Sequence, residues 1–135
     1  MANRIRSKMI DNKLVIAIDF DGTIVEEAYP SLGKLRKGAK KYINKLHNDG
    51  HIIIINTCRS GVHQNAAFKM LVGLEVEFDL MNENHPSVIA EYNSDSRKIS
   101  ADLYIDDKNL VKLPSWKQKY KLIKKHYKRI KHNEK

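Results

Sequence analysis

Five successive apolar residues, Leu14-Val15-Ile16-Ala17-Ile18, stop abruptly at Asp19-Phe20-Asp21-Gly22-Thr23. A short continuous apolar run closed by a turn signal reads as a strand buried on both faces. Three further runs share this form: His51-Ile52-Ile53-Ile54-Ile55, a shorter one over residues 78–81, and Leu103-Tyr104-Ile105. Between them the apolar period changes. Leu35, Ala39, Tyr42, Ile43 and Leu46 recur on one face of a helix that Asp49-Gly50 stops, and Ala66, Ala67, Met70, Leu71 and Leu74 mark a second helix. Trp116, Tyr120, Ile123, Tyr127 and Ile130 then form an apolar stripe, predicting an amphipathic C-terminal helix at about residues 116–132. Strands alternating with helices predict an α/β chain with a parallel, Rossmann-like layered sheet joined by right-handed crossovers. No internal repeat or linker interrupts it, so residues 1–135 are expected to form one domain.

In such a sheet, ligands bind beyond the carboxyl ends of the strands. Asp19 and Asp21 lie there, two residues apart, and in extended chain they share a face. Asp106-Asp107 closes the last strand in the same way. Four carboxylates at one edge repel one another unless a cation neutralises them, and Mg2+, which takes oxygen ligands together with substrate phosphate, suits the set. The second strand runs into Asn56-Thr57-Cys58-Arg59-Ser60-Gly61, bringing a hydroxyl and a guanidinium suited to phosphate. Lys98, eight residues before Asp106, is placed to reach across to Asp19. A plain solvated turn would also use Asp and Gly; the second acidic pair argues against that reading.

The order Asp-x-Asp-Gly-Thr, strand-Thr, Lys, strand-Asp-Asp resembles the four motifs of the haloacid dehalogenase superfamily of phosphohydrolases, over roughly residues 14 to 116. Tyr29-Pro30, Asn82, Ile105-Asp106-Asp107-Lys108-Asn109 and Pro114-Ser115-Trp116 resemble its small capless bacterial members. The resemblance implies a three-layer fold with strand order 3-2-1-4 and no cap domain. It implies Asp19 as the nucleophile that forms an aspartyl-phosphate, Asp21 as general acid and base, Thr57 as a phosphate ligand and Lys98 as a charge-offsetting cation. Mg2+ would be held by Asp19, the Asp21 backbone carbonyl and Asp106, with Asp107 binding a metal-bound water or orienting Lys98. Gly22, Thr23, Cys58, Arg59 and Asn82 are expected to line the substrate. Nucleophilic attack needs Asp19 ionised while donation to the leaving oxygen needs Asp21 protonated, so their environments must differ.

Spacing limits what encloses the site. The 35 residues between Asp21 and Thr57, and the 15 between Asn82 and Lys98, are too few for a full cap. A capless member would accept bulky or macromolecular substrates or borrow a lid from a neighbouring subunit, and the resemblance implies a phosphomonoester such as a sugar phosphate, a nucleotide or a phosphorylated polymer end. The segments 25–30 and 82–86 are candidate walls of the leaving-group pocket. A phosphotransferase remains open, because an aspartyl-phosphate can pass to an alcohol, as does a polyanion- or partner-binding module on the same scaffold.

Composition refines this picture. The net charge of +9 is concentrated: residues 117–135 hold nine Lys or Arg and one Glu, leaving +1 for the rest. The C-terminal helix should thus carry a lysine-rich outer face, either merely solvated or in weak contact with a polyanion. With 41% hydrophobic residues, no apolar run near membrane-spanning length and a basic start at residues 1–8 lacking a signal-type apolar stretch, the expectation is a cytoplasmic protein without a transmembrane segment. A homo-oligomer that lends a lid stays open. The single cysteine, Cys58, excludes an internal disulfide. It lacks the arginine six positions on that thiol phosphatases need, Gln64 standing there, and reads as a small apolar neighbour of Thr57.

Overall fold

The computed structural model describes residues 10–133; the basic start at residues 1–8 lies outside them, as do the last two residues. Four parallel strands, β1 (Val15–Ile18), β2 (Ile52–Ile55), β3 (Leu80–Met81) and β4 (Leu103–Ile105), form a sheet in the order β3-β2-β1-β4. This is the expected order 3-2-1-4. Four helices connect and follow them: α1 (Ala39–Asn48), α2 (Gly61–Gly73), α3 (Pro86–Tyr92) and α4 (Trp116–Asn133).

The central strands β1 and β2 are apolar throughout because both faces are covered, whereas Tyr104 on the edge strand β4 is exposed. Leu14, Ile16, Ile18, Ile53 and Ile55 point into a core shared with Ile43 and Leu46 of α1, Leu71 of α2 and Trp116 and Ile123 of α4. The alternate residues Val15, Ala17 and Ile54 point to the other face, where Ile99 and Ala101 from the β3–β4 connection cover them. No helix among the described residues is long and apolar enough to cross a membrane.

Two elements differ from the sequence reading. Leu35 does not open α1: it pairs with Val25 across the base of the 25–35 flap, and Gly38, at φ 82°, breaks the chain direction before the helix starts at Ala39. A spacing of four, shared by chance with the helix face, placed Leu35 on it. The short α3 falls within and beyond the segment read as a pocket wall. It begins with Pro86 at its first turn, and His85 Nδ1 accepts from the Ser87 N–H (3.1 Å). Seven residues with Val88 as the one buried position leave no periodicity to detect.

Helix α4 docks along its apolar stripe. Tyr120 Oη donates to Asp49 Oδ2 (2.8 Å) and Tyr127 Oη to the Asn12 carbonyl (2.8 Å), pinning it at two levels. At its N-terminal end Trp116 is buried, and its indole Nε1–H donates to the backbone carbonyl of Thr23 (3.1 Å). The helix thus fixes the turn after β1. Trp116→Phe, which keeps an aromatic ring but removes this donor, is expected to lower stability by about 1–3 kcal/mol. Urea unfolding followed by circular dichroism measures it; an unchanged midpoint would show that the bond contributes nothing.

Candidate active site

The turn after β1 is built by local bonds. The Phe20 carbonyl accepts from the N–H groups of Ile24 (2.9 Å) and Val25 (3.2 Å), and the Gly22 N–H donates to the Val25 carbonyl (2.8 Å). Gly22 sits at φ 85°, and a Cβ there would collide with the Asp107 carboxylate, so only glycine admits the two loops this close. The expected ligand Gly22 is in this sense a spacer. Thr23, also expected to face substrate, is 1% exposed. Its Oγ1 donates to Asp19 Oδ2 (3.1 Å) and accepts from the Asp107 N–H (2.9 Å), which ties the β1 loop to the β4 loop.

Asp19, Asp106 and Asp107 each offer a carboxylate oxygen, all within 4.8 Å of one another. Burial, then the hydrogen bond with Asp107 and the charge of Asp106, push the Asp19 carboxyl up to about 7. That is unfavourable for a nucleophile and is the condition a bound cation relieves. Three hard oxygen donors fit Mg2+ chemically. The carboxylate of Asp21 stands apart from this cluster; the sequence reading assigned to Mg2+ only its backbone carbonyl. Around Asp106 the chain turns tightly: Oδ1 accepts from the Lys108 N–H (2.8 Å), and the Asp106 carbonyl accepts from Asn109 Nδ2 (2.6 Å).

A hollow of about 380 Å³ opens over the cluster. Asp19, Asp21, Thr57, Arg59 and Asp106 line it, with Glu27 and Tyr29 of the flap forming one wall and Cys58, which is exposed, another. A larger depression of about 1000 Å³ lies by β3 between α1 and α2, floored by Phe68, Val72 and Phe78. None of the paired acids reaches it; Asp19, Asp21 and Asp106 line the smaller hollow.

The remaining expected residues take varied places. The Thr57 Oγ1 accepts from the Arg59 N–H (3.1 Å) and retains its own O–H for a ligand. Asn82, at φ 55°, accepts from the Thr57 N–H through Oδ1 (2.8 Å); it shapes the loop that presents Thr57. Arg59, expected to bind phosphate, is instead buried against Asp21, Nε donating to Oδ2 (2.7 Å) and Nη2 to Oδ1 (2.8 Å). Lys98 is exposed, with Nζ 4.9 Å from the centre of the Tyr104 ring, in a neighbouring hollow bordered by Asn56 and Asp106. The lysine that lines the Asp19 hollow is Lys108, whose Nζ lies 3.9 Å from Asp107 Oδ2. The sequence reading did not place Lys108, Glu27 or Tyr29 as site residues, although 25–30 was named as a wall.

The sequence model of the haloacid dehalogenase-like hydrolases matches residues 16–134. A solved structure of a conserved protein from Bacteroides thetaiotaomicron is similar to this chain, with 35% identity and a TM-score of 0.77 over 84% of this chain and 92% of that one. No curated protein matches.

The folded protein holds the Asp19 proton more tightly than the unfolded chain, whose carboxyl titrates near 3.8. The cost of crowding is therefore absent at low pH, develops as pH rises through that window, and is complete above about 7. Mg2+ is expected to raise Tm more at about pH 8 than at about pH 5.5, and Asp19→Asn to stabilise the metal-free protein at the higher pH by ~1 kcal/mol. Thermal melts with Mg2+ or EDTA test this; equal Mg2+ increments at both pH values would contradict it.

Proposed function

Because the chain belongs to the haloacid dehalogenase-like hydrolases, we propose that it is a magnesium-dependent phosphomonoester hydrolase that works through an aspartyl-phosphate on Asp19. One observation carries the reading: Asp19, oriented by the Thr23 hydroxyl beside Asp106 and Asp107, faces the same hollow as a second acid, Asp21. A binding site for phosphate alone has no use for that pair.

Asp19 Oδ attacks phosphorus, and the bond to the leaving oxygen breaks as that oxygen takes a proton from Asp21. Water then attacks the phosphorus of the acyl phosphate, gives its proton to Asp21, and releases phosphate and Asp19. The Thr57 hydroxyl donates to a phosphoryl oxygen throughout. Mg2+, when bound by Asp19, Asp106 and Asp107, supplies positive charge to the carboxylates and to the phosphoryl oxygens. Lys108 brings a second cation to the lining of the hollow, and Lys98 lies in the neighbouring hollow, with which this one shares Asp106. Preorganised charge of this kind is the main source of acceleration in phosphoryl transfer.

The β1–β2 connection holds the flap and α1, and the β3–β4 connection holds the short α3, which supports a capless enzyme. Tyr29 on the flap wall is 53% exposed, which supports room for a bulky or polymeric leaving group on that side. Release of phosphate from a panel of phosphomonoesters, including phosphorylated oligomers, should require Mg2+ and fall at least ~1000-fold in Asp19→Asn. Turnover that persists in EDTA would refute the metal assignment; turnover that persists in the variant would refute the nucleophile.

A further inference from the structure

We propose that Arg59 is a positioning residue that acts through Asp21, joining the acid and the leaving-group wall into one unit. The inference rests on the phosphomonoesterase reading and deepens it. Its first support is an inventory of donors. A guanidinium has five N–H groups. Nε and Nη2 fork the two Asp21 oxygens at 2.7 and 2.8 Å. Nη2 also donates to the Ser31 carbonyl (2.7 Å), and Nη1 to the carbonyls of Pro30 (3.2 Å) and, at the limit of bonding, His63 (3.5 Å). No donor is left for a phosphate.

The faces of the group are covered too. The Arg59 carbon Cζ lies 5.2 Å from the centre of the Phe20 ring and 4.9 Å from that of Tyr29, and the side chain is 1% exposed. Tyr29 in turn meets the His63 ring edge to face at 5.4 Å. One cation therefore binds three segments: the acid of the β1 loop, the flap at residues 29–31, and the first turn of α2. The charge of Arg59 is neutralised locally by Asp21, as a bidentate pair requires. A lysine ammonium cannot reproduce the two parallel bonds together with the carbonyl bonds.

The consequence is kinetic. An alkoxide leaves poorly unless it receives a proton as its bond to phosphorus breaks, whereas p-nitrophenolate leaves without one. Losing the position of Asp21 should therefore penalise alkyl esters selectively. The measurement is kcat/KM, which reports the steps up to departure of the leaving group, for an alkyl phosphate and for p-nitrophenyl phosphate with Mg2+. The proteins compared are the full chain, Arg59→Lys, Asp21→Asn and the double variant. Each single change is expected to lower the alkyl-to-aryl ratio about 100-fold, and the double variant to be no worse than Asp21→Asn. Equal losses on both esters, or losses that multiply in the double variant, would overturn the proposal in favour of direct phosphate binding by Arg59. Absence of turnover of either ester by the unaltered protein would instead overturn the hydrolase reading, and the proposal with it. Should Arg59→Lys fail to fold, the Arg59 Nε–H resonance of the unaltered protein decides. It is expected to exchange slowly with solvent and to stay in place when inorganic phosphate is added; a phosphate-dependent shift would overturn the proposal.

Discussion

Repulsion among carboxylates at one end of a parallel sheet is the constraint around which this molecule is arranged. β1 and β4 are neighbours and end level with each other, since Ile18 pairs with Ile105. The next residues after the two strands must therefore meet, Asp19 on one side and Asp106-Asp107 on the other. Burial of the apolar sheet is what forces the acids together: a slip of either strand would draw an acid from its end into the buried sheet.

The supporting parts keep the crowded loops from separating. The Thr23 hydroxyl bonds to both loops, Gly22 lets the Asp107 carboxylate approach the backbone, and Trp116 of α4 holds the Thr23 carbonyl from behind. A helix that looks peripheral is therefore part of the frame of the active site. Asp21 is managed differently. Its charge is offset by Arg59, so the two acids of one motif sit in contrasting surroundings: Asp19 among like charges, Asp21 against a cation. Ionisation of Asp19 in such surroundings would depend on the cation that Asp19, Asp106 and Asp107 are suited to hold.

The strand order came from the family resemblance, since apolar runs do not specify which strands are neighbours. The strands themselves and the sheet edge on which the paired acids fall were legible in the sequence, because buried parallel strands leave unbroken apolar runs and the acids stand at their ends. The helix stripe of α4 was legible for the same reason. Side-chain partners were not. Arg59 comes two residues after Thr57, and proximity suggested phosphate; its actual partner, Asp21, is 38 positions away and is brought near by the pairing of β1 with β2, where Ile18 lies beside Ile55. Thr23 looked like a ligand because a hydroxyl comes just after the acidic pair, yet its hydroxyl is consumed inside the loops. Lys98 lay at a fitting distance along the chain, but that spacing does not specify which way a loop turns its side chain, and Lys108 lines the hollow instead. The short α3 had too few buried positions to leave a pattern.

The central claim is that phosphoryl transfer passes through a covalent intermediate on Asp19. The configuration at phosphorus tests it most directly, using an isotopically chiral phosphorothioate monoester turned over with Mg2+. Two successive in-line displacements predict net retention. Inversion would mean that water attacks the ester directly, and would leave Asp19 as a metal ligand or base with no covalent role.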